Sequence, residues 1–140
     1  GDLDRRTELL GATPSIWPAR GALSATFGVR EDPFGGDSSE LHTGIDISAD
    51  RGQPVYATAD GTVDSAGWNG DYGNMVVVNH KFGLVTRYAH LSALSVHAGD
   101  RVTRGEVIGQ VGSTGRTTGP HLHYELLVNG QLTNPLSLLR

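Results

Sequence analysis

The sequence predicts a mainly β fold built from antiparallel strands. Twenty of its 140 residues are glycine, which is typical of all-β domains with many tight turns. From Ala22 onward apolar and polar residues alternate with a period of two, whereas a 3.6-residue pattern occurs only at the N-terminus. Turn-forming pairs such as Asp60-Gly61 and Asn129-Gly130 separate the alternating runs. These three observations predict short strands joined by tight turns.

A short N-terminal arm precedes this β region. Residues 2–10 have helical composition and stop at Gly11, which favours the end of a linker or coiled-coil arm and leaves a frayed terminus open. Pro14 and Pro18 then favour an extended run. We therefore divide the chain into an arm or linker remnant, residues 1–14, and one domain, residues 15–140.

The alternating pattern places the strands in order along the domain. They are expected at residues 23–29, 55–59, 62–65, 74–80 and 84–90, at 102, at 107–111 and, as the last clear strand, at 121–128. Asp60-Gly61 predicts a hairpin between the second and third of these, and Lys81-Phe82-Gly83 predicts one between the fourth and fifth. Residues 30–41 are polar, glycine-rich and long for a loop, which indicates a functional wall that shapes or occludes a groove.

Bulk composition excludes several classes of function. The chain has no cysteine, so disulfides, thiolate metal ligands and cysteine nucleophiles are absent. A net charge of −4 and the lack of a basic run argue against a nucleic-acid surface. No apolar stretch approaches the roughly 20 residues of a membrane span. The chain begins at Gly1 without a signal peptide, which predicts a processed piece of a longer protein, and an anchor in that longer protein stays compatible with this prediction.

The stretch HLHYE, residues 121–125, carries the first chemical signal. On a strand, His121, His123 and Glu125 face one way, and the apolar residues between them face the core. The Cα atoms of the two histidines are then roughly 6.5 Å apart. This spacing suits one histidine on a metal ion and its neighbour on a water or substrate.

A second signal is HTGID, with His42 and Asp46 four residues apart. Thr43 and Ile45 disfavour a helix here, so we expect Gly44 to let the backbone bend until His42 and Asp46 converge. Together with one of the paired histidines they form a set of two nitrogens and one carboxylate oxygen. Three protein ligands with an open position are typical of catalytic zinc.

The other histidines divide into one candidate and two ordinary residues. His90 closes a predicted strand and is a candidate for the same site. His80 precedes a hairpin turn and is expected to satisfy local backbone groups. His97 precedes an exposed turn and is expected to be solvated.

The types of the candidate residues alone leave alternative functions open. A non-haem Fe(II) oxygenase also uses two histidines and a carboxylate, but would give His121 no role. A cupin-type site needs a further histidine downstream, and none follows His123. A swinging-arm carrier needs a lysine on its hairpin, whereas Lys81, the single lysine, lies next to a different turn.

Ordered motifs over residues 16–136 resemble the M23 family of zinc metallopeptidases, the lysostaphin-like or LytM-type peptidoglycan hydrolases. These motifs are FGVREDP (27–33), HTGIDI (42–47), PVYATADGTV (54–63), GNMVVVNH (73–80), RYAHLS (87–92), GEVIGQVGSTGRTTGPHLHYE (105–125) and NP (134–135). The resemblance implies an antiparallel β-sheet groove walled by loops, similar to LytM and the duplicated hybrid motif.

The resemblance also implies a ligand set and two catalytic residues. His42, Asp46 and His123 are similar to the ligands of one Zn²⁺. His90 and His121 are similar to the metal-free histidines that hold the attacking water and the tetrahedral intermediate. We expect His121 to be the general base, because imidazole titrates near the operating pH, and His90 to donate a hydrogen bond.

Three further residues are candidates for the surroundings of the site. Glu125 is expected either to orient His123 or His121 or to face solvent or a neighbouring strand. Tyr72 and Asn74 are candidates for lining the groove. Some members of the family carry a catalytic tyrosine in the loop before HxxxD, but residues 34–41 contain none.

The implied function is zinc-dependent hydrolysis of peptide cross-links in bacterial cell-wall peptidoglycan. A D,D-endopeptidase is favoured over cleavage of glycine bridges, because no glycine-bridge-targeting domain is appended. The expected partner is the peptide stem, the location is periplasmic or extracellular, and the domain is monomeric. The alternative is a non-catalytic M23-like module that activates a cell-wall amidase.

Overall fold

The computed structural model describes residues 2–31 and 39–140, and side chains from Asp4 onward except those of residues 29–41. One helix, α1 (Asp2–Ala12), precedes twelve strands and two single turns of 3₁₀ helix. The strands are β1 (Ala22–Ala25), β2 (Gly28–Glu31), β3 (Ser39–His42), β4 (Ile45–Ser48), β5 (Pro54–Tyr56), β6 (Gly61–Trp68), β7 (Asn74–Asn79), β8 (Leu84–Leu94), β9 (Arg101–Val102), β10 (Val107–Val111), β11 (His121–Val128) and β12 (Gln131–Thr133). The 3₁₀ turns are Gly70–Tyr72 and Pro135–Ser137.

Ten strands form one antiparallel sheet, which confirms the predicted fold class. Its main path runs β1-β4-β11-β8-β7-β6-β9, with β10 paired to β5 and β8 and β12 paired to β11. Strands β2 and β3 form a separate antiparallel pair. The middle of the sheet, β4-β11-β8, carries the residues that the sequence singled out.

The core lies on the side of the sheet that the alternation of β11 predicts. Leu122, Tyr124 and Leu126 are buried, while the residues between them point to the opposite face. The core draws on several strands and includes Ile45, Ile47, Val55, Val63, Val76, Val78, Tyr88, Leu91, Ile108, Leu122 and Tyr124. Burial of this set is the main stabilising contribution to the fold.

The hairpin predicted at residues 81–83 is confirmed. Strands β7 and β8 pair directly across it, and Lys81 and Phe82 adopt positive φ angles of 70° and 55°. Asn79 helps to close the turn, because its side-chain oxygen accepts a hydrogen bond from the Lys81 amide at 3.0 Å. Strand β8 continues four residues past the predicted end at His90.

The hairpin predicted at Asp60-Gly61 is wrong. Strand β5 pairs with β10, and β6 pairs with β7 and β9. Asp60 is held from outside the turn: its amide donates to the Gly11 carbonyl at 2.9 Å, and its carboxylate accepts from the Arg104 amide at 2.9 Å. Gly61 lies so close to the β7 backbone that a Cβ would be 2.6 Å from the Asn79 carbonyl oxygen. Tertiary contacts have overridden the local turn signal.

Two other strand predictions need correction. The single strand expected at residues 23–29 is two strands, β1 and β2, which pair with β4 and β3 respectively. The chain changes sheets between them, at residues 26 and 27. Strand β12 was missed, because its three residues are too short to show alternation. The wall predicted for residues 30–41 falls mostly on residues 32–38, which lie outside the described residues.

Helix α1 ends in contact with the domain. The Arg104 guanidinium donates to the carbonyls of Leu10 and Thr13, the latter at 3.0 Å, so it binds the free carbonyls at the end of the helix. Ala12 is buried against the domain. No helix within residues 2–31 and 39–140 is long and apolar enough to cross a bilayer.

Candidate metal centre and active site

The register of the sheet brings Asp46 and His123 together. Strands β4 and β11 are antiparallel, and His123 lies directly opposite Asp46. On its other side, His123 lies opposite Ala89 of β8, next to His90. The sheet therefore places residues from distant parts of the chain beside one another.

His42 and Asp46 converge as predicted. The Nε2 atom of His42 lies 3.1 Å from Oδ2 of Asp46. The backbone bends at Gly44 as predicted, although Gly44 does not adopt a positive φ. Glycine is also needed for the close approach of two backbones, because a Cβ at Gly44 would lie 2.2 Å from the Tyr124 carbonyl oxygen.

Both nitrogens of His123 face a carboxylate. Nδ1 lies 2.7 Å from Oδ1 of Asp46, and Nε2 lies 2.9 Å from Oε2 of Glu125. Burial by itself lowers the pKa of His123, but the hydrogen bonds and charges of Asp46 and Glu125 outweigh burial and raise it to about 9. The pKa of Asp46 is lowered: burial raises it, but His123, His42 and His121 outweigh that effect.

The donor set fits a divalent metal ion such as zinc. One ligand atom from each of His42, Asp46 and His123 lies within 4.8 Å of the others. In both histidines the second nitrogen is occupied by an acceptor: the Thr26 carbonyl lies 2.8 Å from Nδ1 of His42, and Glu125 faces Nε2 of His123. Metal binding requires neutral imidazole, so it displaces the proton that Nδ1 of His123 shares with Asp46. In the neutral rings, a proton on each of those second nitrogens leaves Nε2 of His42 and Nδ1 of His123 as lone pairs for the metal, the usual arrangement around metal-bound histidines.

Glu125 is fully buried, so the alternative in which it faces solvent is wrong. Its Oε2 accepts hydrogen bonds from Thr43 Oγ1 at 2.5 Å and from the Tyr72 hydroxyl at 2.9 Å, and Oε1 accepts from Arg87 Nη1 at 3.2 Å. Burial raises the pKa of Glu125, but the hydrogen bonds and the charge of His123 outweigh it and lower the pKa to about 2. Glu125 is therefore a fixed negative charge behind His123.

The sequence did not indicate Thr43 or Arg87 as members of this site. Thr43 lies between two predicted ligands, and Arg87 lies opposite Glu125 in the register of β8 and β11. Only that cross-strand pairing makes Arg87 a partner, so the sequence of either strand alone carries no signal for it. Tyr72 does line the cleft, with its ring centroid 6.1 Å from that of His123.

Asn74 lies behind the cleft. Its amide donates to Thr114 Oγ1 at 3.1 Å, and its side chain donates to the Leu91 carbonyl at 3.2 Å. Thr114 Oγ1 donates to the same Leu91 carbonyl at 2.7 Å. Asn74 thereby helps to fix residue 114, which contacts His90.

His90 and His121 lie side by side, with ring centroids 4.9 Å apart. The Thr114 carbonyl lies 2.8 Å from Nδ1 of His90, and the Gly119 carbonyl lies 2.9 Å from Nδ1 of His121. A carbonyl only accepts, so Nδ1 carries the proton in both rings and the neutral form of each presents a lone pair at Nε2. Nε2 of His121 lies 3.8 Å from Oδ1 of Asp46.

His90 is held in an unusual backbone conformation. It interrupts the long strand β8 with a φ of 64°, a region that non-glycine residues rarely adopt. Such residues cluster at functional sites, where the surrounding structure imposes them. Burial lowers the pKa of His90, with smaller effects from the nearby histidines and opposing effects from Thr114 and Asp46, so its neutral form is favoured.

These groups line an open cleft of about 720 Å³. One side carries the candidate ligands, and the other is formed by residues 71–72 and 116–118. The pocket is large enough for an extended peptide to cross the histidines.

The two remaining histidines lie elsewhere. His80 is buried, with Nδ1 2.8 Å from the Asp60 carbonyl and Nε2 2.7 Å from Thr86 Oγ1. It satisfies a backbone group as predicted, although that group is twenty residues away. The side chain of His97 is 93% exposed, which confirms its assignment as solvated.

Comparison with known proteins identifies the family. Residues 40–135 match the model of peptidase family M23, and this segment contains all of the candidate ligands and both candidate catalytic histidines. The chain belongs to peptidase family M23. Membership in this family excludes the alternative interpretations of the sequence as an Fe(II) oxygenase, a cupin-type site or a swinging-arm carrier.

The chain is similar to a characterised relative and to solved structures. It is 53% identical over 116 residues to the DD-carboxypeptidase/endopeptidase Mpg of Neisseria meningitidis serogroup B, a match that covers 83% of this chain and 26% of the relative. A zinc-containing peptidase from Vibrio cholerae superimposes with a TM-score of 0.82 at 34% identity, over 89% of this chain and 39% of that one. The catalytic domain of lysostaphin from Staphylococcus simulans gives 0.74 at 32% identity, over 84% and 90%.

The chain spans about a quarter of the length of the Neisseria relative that it matches.

Proposed function

We propose that this domain is a zinc-dependent endopeptidase that hydrolyses peptide cross-links of bacterial peptidoglycan, with D,D-cross-links favoured over glycine bridges. The observation that carries the proposal is the meeting of His42, Asp46 and His123 within 4.8 Å, directly beside His90 and His121. The name of the Neisseria relative supports the choice of a D,D-bond.

One Zn²⁺ is the proposed cofactor, held by Nε2 of His42, a carboxylate oxygen of Asp46 and Nδ1 of His123. When bound, zinc polarises a carbonyl and lowers the pKa of water from 15.7 toward ~7. Three protein ligands with a further open position are typical of catalytic zinc sites. The Vibrio neighbour is itself described as containing zinc.

His121 is the proposed general base. Its Nδ1 proton is held by the Gly119 carbonyl, so Nε2 presents its lone pair toward Asp46 and the cleft. A proton taken from the attacking water at Nε2 makes His121 a cation. The same atom can then return the proton to the leaving amine, as general acid–base catalysis requires.

His90 has a role that differs from simple hydrogen-bond donation. Because Nδ1 donates to the Thr114 carbonyl, neutral His90 accepts at Nε2, and burial favours the neutral form. We therefore assign His90 to orienting the attacking water by accepting its second hydrogen bond. It donates to a developing oxyanion only after it gains a proton.

Glu125 is the proposed positioning residue of the metal centre. It holds the Nε2 proton of His123, which keeps Nδ1 free as a ligand and fixes the plane of the ring. Thr43, Tyr72 and Arg87 hold Glu125 in turn. Tyr72 acts through this contact, and no catalytic role is assigned to it.

The proposed partner is the peptide stem of peptidoglycan, and the proposed location is the cell envelope where that polymer lies. The domain is proposed to act as a monomer, because the described residues of one chain supply all five groups.

Digestion of purified sacculi tests the proposal. Sacculi with D-Ala–diaminopimelate cross-links and sacculi with glycine bridges are incubated with the domain, with chelator, and with chelator followed by zinc. We expect cross-linked dimers of the first type to become monomers, by mass analysis, only when zinc is present. Release of glycine-bridge fragments instead would overturn the D,D assignment, and release that requires an added amidase would support an activator.

A further inference from the structure

Arg116 lies in the loop that holds both catalytic histidines. The Thr114 carbonyl accepts from Nδ1 of His90, and Thr117 Oγ1 lies 3.1 Å from Nδ1 of His121. Arg116 lies between these two anchors and lines the same cleft. Its side chain therefore starts close to the point where a scissile amide must bind.

The backbone of this loop is fixed against residues 71–73, on the same side of the cleft. The Arg116 amide donates to the Asp71 carbonyl at 2.8 Å. Gly115 has a φ of 78°, and a Cβ there would lie 2.4 Å from the amide nitrogen of Gly73. The Arg116 side chain is exposed, and its backbone is held by these contacts, which suits recognition of a ligand.

Arg116 is also the one lysine or arginine among the described residues that line the cleft. Within residues 4–28 and 42–140, whose side chains the structure describes, no ion pair involves Arg116. The nearby Arg87, by contrast, is paired with Glu125. Arg116 is therefore a cation available to a ligand in the cleft.

We propose that the Arg116 guanidinium binds a free carboxylate on the leaving side of the peptide, one carbon away from the scissile nitrogen. A guanidinium binds a carboxylate through two parallel hydrogen bonds, which gives both affinity and orientation. The inference rests on the proposed function, since it names a feature of the substrate of that same cleft.

The chemistry of the two candidate bonds makes the carboxylate informative. In a D-Ala–diaminopimelate cross-link and in a terminal D-Ala–D-Ala, the leaving amine belongs to an α-amino acid with a free α-carboxylate. In the interior of a glycine bridge that carbon is followed by another amide. Arg116 therefore selects leaving groups of the first kind and provides a physical reason for preferring D,D-bonds.

A matched substrate pair tests this carboxylate site. The substrates are cross-linked muropeptide dimers in which the α-carboxyl of the leaving diaminopimelate centre is either free or amidated. Wild type should prefer the free carboxylate. Arg116→Gln should lower kcat/KM on that substrate by about 10- to 100-fold, mainly through KM, and leave the amidated substrate nearly unchanged. Arg116→Lys should retain part of the preference, because it keeps the charge but not the paired hydrogen bonds.

Arg101→Gln is the matched control, because Arg101 is an exposed arginine on β9, outside the cleft. Zinc content and circular dichroism should match wild type in all three variants. Equal losses on both substrates, or the same loss in Arg101→Gln, would overturn the carboxylate site while leaving the proposed function intact. A wild-type protein inactive on both substrates would overturn the proposed function, and this inference with it.

Discussion

The two faces of the β8–β11 pair carry two polar networks of opposite character. On the cleft face, His123, Glu125 and Arg87 form a network of charged groups. On the core face, their strand neighbours Tyr124 and Tyr88 belong to a network of neutral groups. Successive side chains along each strand point to opposite faces of the sheet, so neighbouring residues belong to different networks.

The network on the core face runs from Tyr124 to the Asp60 backbone, and all of its side chains are buried. Thr58 Oγ1 lies 2.8 Å from the Tyr124 hydroxyl and 3.0 Å from the Tyr88 hydroxyl, and Thr86 Oγ1 donates to Tyr88 at 2.8 Å. His80 continues the chain to the Asp60 carbonyl. Burial raises the pKa of both tyrosines and lowers that of His80, so every member stays neutral.

The network on the cleft face stays charged and opens to solvent. The pKa of Glu125 is lowered to about 2 and that of His123 is raised to about 9 by their mutual contact and their other partners. A closed neutral network is suited to stability, whereas a charged one that ends at a cleft is suited to holding an ion. The comparison predicts that changes on the first face affect unfolding and changes on the second affect zinc and turnover.

The largest effect within this comparison is expected for His121→Ala. Loss of the general base should lower kcat on peptidoglycan by about 10²- to 10⁴-fold. Zinc content should stay at the wild-type value, because His121 is not among the three ligand residues. Turnover is measured on cross-linked muropeptides, and zinc by elemental analysis of the same samples. Unchanged hydrolysis would remove His121 from the mechanism.

Glu125→Gln should weaken zinc binding without removing it. The amide is close in size but lacks the charge that holds the Nε2 proton of His123, so zinc affinity should fall by about 10- to 100-fold. Competition with a chromogenic chelator measures the affinity. The exposed Glu106→Gln is the control and should match wild type. Wild-type affinity in Glu125→Gln would show that the buried carboxylate does not support the ligand.

Tyr124→Phe probes the opposite face of the same strand. It removes one hydroxyl from a buried network in which Thr58 keeps its bond to Tyr88, so the free energy of unfolding should fall by about 1 kcal/mol. Urea titration measures the change. Zinc affinity should stay at the wild-type value, and a loss like that of Glu125→Gln would mean that the two faces are not independent.

The smallest effect is a pH dependence of stability from His80. Its pKa in the folded state lies below the unfolded value of 6.5, so the unfolded state binds more protons as the pH falls. The contribution is complete above pH 6.5 and is lost as the pH decreases from 6.5 toward the lowered pKa. One group changes the unfolding free energy by at most about 1.4 kcal/mol per pH unit.

Urea titrations from pH 7.5 to 5 compare wild type with His80→Gln. The variant should have the shallower slope, since the groups of the cleft titrate equally in both proteins. His97→Gln, at an exposed position, should keep the wild-type slope. A slope in His80→Gln equal to that of wild type would contradict the assignment.

The alternation of β11 was predictable from its sequence, and the register of its neighbours was not. HLHYELLV shows which residues face the core and which face the cleft. That His123 lies opposite Asp46 and Glu125 opposite Arg87 depends on which strands pair and in what register. For this reason the ligand types were found from the motifs, while Arg87 was missed.

The Asp60-Gly61 turn shows that a strong local signal also gives a wrong prediction where distant contacts decide the structure. A strong local hairpin signal was overridden because Asp60 contacts Gly11, Arg104 and His80, all of them far away in the sequence. The Lys81–Gly83 turn has strands on both sides that pair directly, and there the local signal was sufficient. Local turn chemistry decides a hairpin only where no distant group competes for the turn residues.

Zinc titration of His123→Ala beside His121→Ala tests the central claim most directly. Both variants remove an imidazole from the same face of β11, two residues apart. We predict one zinc per chain in His121→Ala, as in wild type, and no tightly bound zinc in His123→Ala. Wild-type zinc affinity in His123→Ala, or equal loss in both variants, would contradict the assignment of ligand and base.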